Sequence, residues 1–165
     1  MKVIKPITFV PSMLISSTAV ETVADYVPGT PYSKDAEVNY SNSIYVSLQN
    51  SNTGHTPGAV GSELWWIKKS ANNKYAMFDE YVNTQSISDT PFIVVLRPLQ
   101  RTNSIALLNI SDATVVSIQV QDGFGGDIVY SKSFSLDGTI INDWYDYFFE
   151  PYSLKTQIIL TDLPT

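Results

Sequence analysis

Val116-Ser117-Ile118-Gln119-Val120-Gln121, Asp122-Gly123-Phe124-Gly125-Gly126-Asp127 and Ile128-Val129-Tyr130-Ser131-Lys132-Ser133-Phe134-Ser135-Leu136 form one continuous stretch, and its reading decides the fold class. In the first part Val116, Ile118 and Val120 fall on one side of an extended chain, with Ser117, Gln119 and Gln121 on the other. In the last part Ile128, Tyr130, Phe134 and Leu136 do the same against Ser131, Ser133 and Ser135. The segment between them is rich in glycine, which takes positive φ without a steric penalty. Two alternating runs around such a loop are an antiparallel hairpin with one covered face.

Working outward, the same period recurs. Ala36-Glu37-Val38-Asn39-Tyr40 alternates, Ser41-Asn42-Ser43 turns the chain, and Ile44-Tyr45-Val46-Ser47-Leu48 pairs back. Leu64-Trp65-Trp66-Ile67 reads as a strand closing that small sheet, with Trp65 facing away from Trp66. Phe92-Ile93-Val94-Val95-Leu96, Ile105 to Ile110, the aromatic run Trp144 to Phe149 and Gln157 to Leu160 read as further strands. No run shows the helical period. The expected fold is therefore all-β: a small N-terminal twisted β module followed by an antiparallel β-sandwich of jelly-roll-like form.

The texture changes at Asn73-Lys74-Tyr75-Ala76-Met77-Phe78-Asp79-Glu80, with short turn-rich segments before it and longer apolar runs after it. Three parts follow. Residues 1–24 are an extended arm in which Lys2 to Val10, punctuated by Pro6, favours an edge or free-running strand. The arm either folds back on its own domain or reaches to a neighbour. Residues 25–70 are the small module, whose few residues must lean on the large rings of Tyr32, Tyr40, Tyr45 and Trp66. Residues 71–165 are the sandwich.

Composition narrows the function classes. With 44% hydrophobic and 16% charged residues the chain is globular and poor in charge. A net charge of −6, with ten basic residues scattered along the sequence, argues against a nucleic-acid partner. The absence of cysteine excludes thiolate metal sites, disulfides and Cys nucleophiles. No apolar run reaches the ~20 residues of a membrane span, so no membrane insertion is expected. Pro6 and Pro11 interrupt any signal-peptide core, which leaves synthesis in a cytoplasm without a secretion signal as the expectation.

The inventory for catalysis is thin. His55 is the one histidine and lies in a Gly-Pro loop, where it reads as a surface residue. Asp122 and Asp127 flank glycines in a manner compatible with calcium, yet such pairs are more often solvated turn residues. Asp143, Asp146 and Glu150 beside Trp144 and Tyr145 suggest a glycosidase pair. On a strand, however, Asp143 and Asp146 point to opposite faces. The expectation is no enzyme, no cofactor and no metal.

Two resemblances add to this reading. The set Gly29-Thr30-Pro31-Tyr32, Val38, Tyr40, Tyr45, Asn52-Thr53-Gly54, Pro57 and Trp66 resembles the short carbohydrate-binding-like repeat of chitinases and phage tail proteins. The usual Trp ahead of the Gly-Thr-x-Tyr turn is absent, and Asp25-Tyr26 stands nearby instead. Pro6-Ile7-Thr8, Leu14-Ile15-Ser16-Ser17, Asn73 to Asp79, Arg97-Pro98, Ala106-Leu107-Leu108, Val129-Tyr130-Ser131, Asp143 to Pro151 and Thr161-Asp162-Leu163-Pro164 resemble, in that order, a family of phage and prophage virion proteins.

Those resemblances imply a structural virion protein of a tailed bacteriophage, in the tail, neck or a fibre attachment, made in the host cytoplasm. It would act by protein–protein assembly, as a symmetric homo-oligomer among other virion proteins. The alternative they imply is a receptor-facing protein that binds host-surface glycan. Tyr32, Tyr45, Trp65 and Trp66 are the candidate aromatics for either contact, and the fate of Trp65 separates the two. The last strand, ending at Asp162-Leu163-Pro164-Thr165, is expected to offer an open edge to a partner.

Overall fold

The computed structural model describes residues 5–79, 81 and 84–164. Lys2 to Ile4 of the expected N-terminal strand, Glu80 of the segment where the texture changes (the seam between the expected modules) and Thr165 lie outside them. The described chain is nearly all β, as the alternation requires, with nine strands and one short α-helix.

Two compact units divide it, one of residues 9–96 and one that combines residues 5–8 with 97–164. These boundaries differ from the expected divisions after residues 24 and 70. The reason lies in the pairing of the expected arm. Leu14–Ser17 (β1) pairs antiparallel with Val94–Leu96 (β5), and Thr18 extends the ladder by donating to Ile93 O at 3.0 Å. Lys5 to Val10 forms no strand; Pro11–Met13 is a 3-10 turn that leads into β1. Phe9 stacks on Phe78 at 4.2 Å between centroids. Residues 9–24 thus fold back on their own unit.

The rest of the first unit is one three-stranded antiparallel sheet, Glu37–Tyr40 (β2), Ser43–Ser47 (β3) and Trp66–Ala71 (β4), in the order β2-β3-β4. The β2–β3 turn places Ser41 and Asn42 at φ 48° and 65°, the left-handed pair that matches strand twist. Trp65 precedes β4 and sits in a turn, because its N–H and that of Trp66 both donate to Ser62 O at 2.9 Å. The expected strand therefore begins at Trp66, two residues after the start of its apolar run at Leu64.

The seam holds this unit together through one amide. Asn73, 5% exposed, donates from Nδ2 to Val20 O and Ile87 O, and its Oδ1 accepts from Ile87 N at 2.8 Å. Glu21 accepts from the backbone N–H groups of Asn73 and Lys74. The segment that changes texture in the sequence is where three distant stretches are tied.

In the second unit, Ile105–Leu107 (β6) pairs with Ile158–Leu160 (β9), and Val115–Gln121 (β7) with Ile128–Ser135 (β8). The two ladders share one apolar cluster. Leu136, Ile158 and Leu160 are buried in it, with Ile105, Leu107, Val116, Ile118 and Phe134 packed around them. Val116, Ile118 and Val120 are half-buried and their serine and glutamine neighbours exposed, as the alternation predicts. Ile128 departs from it. A register shift pairs Gln121 with Ile128 while Val120 pairs with Tyr130, so Ile128 joins the solvent side at 54% exposed. In the connecting loop a Cβ on Gly126 would stand 1.9 Å from Asp122 O, so the backbone approach there admits only glycine.

Trp144–Phe149 (α1) is a helix, not the expected strand. Asp143 is its N-cap: Oδ1 accepts from Tyr145 N at 2.8 Å and Asp146 N at 2.9 Å. Pro151, which cannot continue a helix, follows the C-cap residue Glu150. Beyond β8, the Asp137 carboxylate is held below the usual aspartate range by the N–H of Thr139, with that residue's hydroxyl adding to the effect.

Candidate functional site

The four aromatics singled out in the sequence do not meet in one platform. Trp66 is 4% exposed, and its Nε1–H donates to His55 O at 2.7 Å. Tyr32 and Tyr26 pack edge-on against it at 5.3 and 5.9 Å. Tyr32 also spends its hydroxyl locally, where Oη accepts from Val27 N at 2.8 Å. Tyr45 lies half-buried against Gly58. Trp66, Tyr32 and Tyr45 are thus the rings on which a module with so little aliphatic core is built.

Trp65 stands apart from that cluster. It is half-buried, and its ring stacks on His55 at 3.8 Å between centroids and 10° between planes. His55 is accordingly no free surface histidine. Asn52, 1% exposed, donates from Nδ2 to Ser47 Oγ and to Trp65 O, both at 3.1 Å. Its Oδ1 is left as the acceptor facing His55 Nδ1 at 3.1 Å, which makes Nδ1 the protonated nitrogen. Loop 50–65 is pinned through this one amide.

Two of the three carboxylates considered for glycoside cleavage are engaged at the start of α1. Asp143 caps α1, and Asp146 Oδ2 accepts from Asn142 N and Nδ2 at 2.9 and 3.1 Å. Among the described residues no group of three or more His, Asp or Glu side chains could hold a metal. No described helix is long and apolar enough to cross a membrane.

A cleft of about 630 Å³ opens in the first unit beside β1 and the β2–β3 turn, within the ~300–1,000 Å³ typical of small-ligand sites. Leu14 to Ser17 of β1 contribute to its lining, as do Ser41 and Asn42 of the turn. Tyr26, Tyr40 and Tyr75 supply rings, and Tyr26 and Tyr40 meet at 83° with centroids 5.7 Å apart. Glu21, Asp25 and Lys74 supply charge.

A row of amides runs along this wall. Asn39 Nδ2 donates to Asp25 Oδ1 at 2.7 Å, and Asn72 Nδ2 donates to Asn39 Oδ1 at 3.0 Å. The carboxylate accepts only, so it fixes the orientation of both amides in turn. The row ends on Asn72 Oδ1, a buried acceptor with no partner among the described residues. Leaving such a group unpaired costs about 1–3 kcal/mol.

Sequence reasoning missed this cleft because its parts come from residues 14–17, 21–26, 39–42 and 72–75. The local hint was Asn72-Asn73 directly after a strand, where two neighbouring amides are costly unless each has partners. Comparison of the chain with protein-family models, with curated proteins and with solved structures found no match.

Proposed function

We propose that this protein is a non-enzymatic structural component that acts by docking onto other protein subunits, as a virion protein of a tailed bacteriophage would. The observation that carries the docking reading is the segment 140–152 of the second unit. Trp144 is 79% exposed, and Ile140, Ile141, Tyr145, Tyr147, Phe148, Phe149 and Tyr152 are each more than half exposed. A helix apolar nearly all round is normally buried, and a contiguous apolar patch on a surface marks an interaction site. Among the described residues these rings pair with one another, as Tyr145 with Phe149 at 4.7 Å.

The open edge of β9 supports the same reading. Among the described residues β9 is hydrogen-bonded to one strand, β6, which leaves it an edge strand able to accept a further strand. The virion setting rests on the sequence resemblance alone. The occupant favoured for segment 140–152 is a second copy of this chain, since closed symmetric assemblies bury such patches reciprocally.

Light scattering of the isolated chain across a concentration series tests this. The expected result is an oligomer that Trp144→Ser with Phe148→Ser converts to monomer without loss of β-sheet signal. A monomer at every concentration, unchanged by the substitutions, overturns self-docking. Recognition of glycan through Tyr32, Tyr45, Trp65 and Trp66 has weaker support, because those rings serve the core of the module or stack on His55.

A further inference from the structure

We infer that Asp122-Gly123, in the loop between β7 and β8, is a covalent modification site at which the chain converts spontaneously from the aspartyl to the isoaspartyl linkage. The pair belongs neither to segment 140–152 nor to β9, so the inference does not depend on the docking reading.

The reaction is an attack of backbone on side chain. The nitrogen of the residue after an aspartate loses its proton and bonds to the side-chain carboxyl carbon. The carboxyl hydroxyl leaves with that proton as water, and a five-membered succinimide ring closes. Water then opens the ring at either carbonyl. Opening at the side-chain carbonyl restores aspartate. Opening at the main-chain carbonyl leaves the chain running through the side-chain carbon, with one extra methylene in the backbone. Water is released in the first step and returned in the second, and no other co-reactant is needed. Glycine in second place favours the attack, because no Cβ crowds the ring and its backbone turns freely. The sequence has two such pairs, Asp122-Gly123 and Asp137-Gly138.

The fold treats them differently. At the second pair every reacting group is held. Gly138 N donates to Ser153 O at 2.9 Å, which keeps that nitrogen from the attack. Asp137 Oδ1 accepts from Thr139 N at 2.9 Å, and this bond favours the ionised carboxyl, which lacks the hydroxyl that must leave. The backbone of Asp137 is bridged to Leu154. A Cβ on Gly138 would meet Ser153 Oγ at 3.3 Å, so the ring has little room.

Asp122-Gly123 lacks each of these restraints. Both residues are exposed, and among the described residues neither the Asp122 carboxylate nor Gly123 N forms a hydrogen bond. Nothing stands within 4 Å of a Cβ built on Gly123. The added methylene falls where the loop closes most tightly, since Asp122 N donates to Asp127 O at 2.9 Å and Gly126 packs against Asp122 O. The isoaspartyl form should therefore open the loop and leave the ladder from Val116 to Val120 in place.

The test is incubation of the whole chain for several weeks at neutral pH, in water enriched in heavy oxygen. Peptide mapping with electron-transfer fragmentation then separates isoaspartyl from aspartyl products. Isoaspartate carrying one heavy oxygen is expected at 122, several-fold faster than at 137. In urea the two pairs should react at similar rates, because the restraint on Asp137-Gly138 is then gone. Asp122→Glu, which keeps the charge but can close only the slower six-membered ring, should abolish the product over the same period. In the isolated product the amide of Asp122 is expected to exchange faster, with Val116 to Val120 unchanged. The inference is overturned if no isoaspartate forms at 122, or if it forms at 137 as fast in the folded chain. A difference that persists in urea overturns it equally, by assigning the rate to the flanking Phe124 and Thr139, and unchanged exchange at Asp122 overturns the opening of the loop.

Discussion

Gly58 shows how a single position can hold a module together. Its φ is 74°, and a Cβ built there would lie 2.7 Å from the hydroxyl of Tyr45. Two penalties therefore meet in one substitution, backbone strain and a steric clash. Gly58→Ala is expected to lower stability by about 1–3 kcal/mol, measured from urea midpoints. In a Tyr45→Phe background the cost should fall, since the nearest remaining ring atom stands 3.4 Å away and only the strain persists. An equal cost in both backgrounds would remove the clash from the explanation. The same scale explains Asn52, Asn72 and Asn73: each is buried in a role the sequence does not announce, because an amide's value depends on partners brought from elsewhere.

At the scale of elements, the strands were legible and the helix was not. The pairs β2–β3 and β7–β8 lie where period-two alternation and turn residues put them. Trp144 to Phe149 misled because aromatic residues favour strands by propensity. The decisive signal was the flanking pair Asp143 and Asp146, an N-cap residue with an acidic residue three positions on, followed by Pro151 as a stop. Local capping outweighed propensity. Asp143→Ala should therefore cost about 0.5–2 kcal/mol of helix stability. Amide hydrogen exchange at Tyr145 and Asp146 is expected to rise, with exchange in β7 and β8 unchanged. Protection retained at those two amides would show that something other than the cap holds α1.

At the scale of the whole molecule, the two units rest on different kinds of core. Residues 9–96 are organised by rings and buried amides, with Val38 and Trp66 the largest apolar residues among those most deeply buried. Residues 97–164 are organised by an aliphatic cluster centred on Leu136, which is 0% exposed. Leu136→Ala should cost about 2–5 kcal/mol through the cavity it opens. Hydrogen exchange is expected to localise that loss to β6 to β9, with Asn52 and Asn73 still protected. Loss of protection throughout the chain would show that the units unfold as one.

The segment 73–79, where the change of texture put a division between modules, lies inside the first unit. The sequence by itself determined the all-β class and the two hairpins. Those depend on side-chain period, turn residues and composition, which are local properties. Only the tertiary structure decided where the units divide, which aromatics become core, that α1 stands exposed, and that the cleft exists. Each of these depends on which distant segments come to lie side by side, as β1 does with β5 across most of the first unit. Burial and hydrogen-bond partnership are pairwise quantities, and a chain read in one dimension carries only half of every pair.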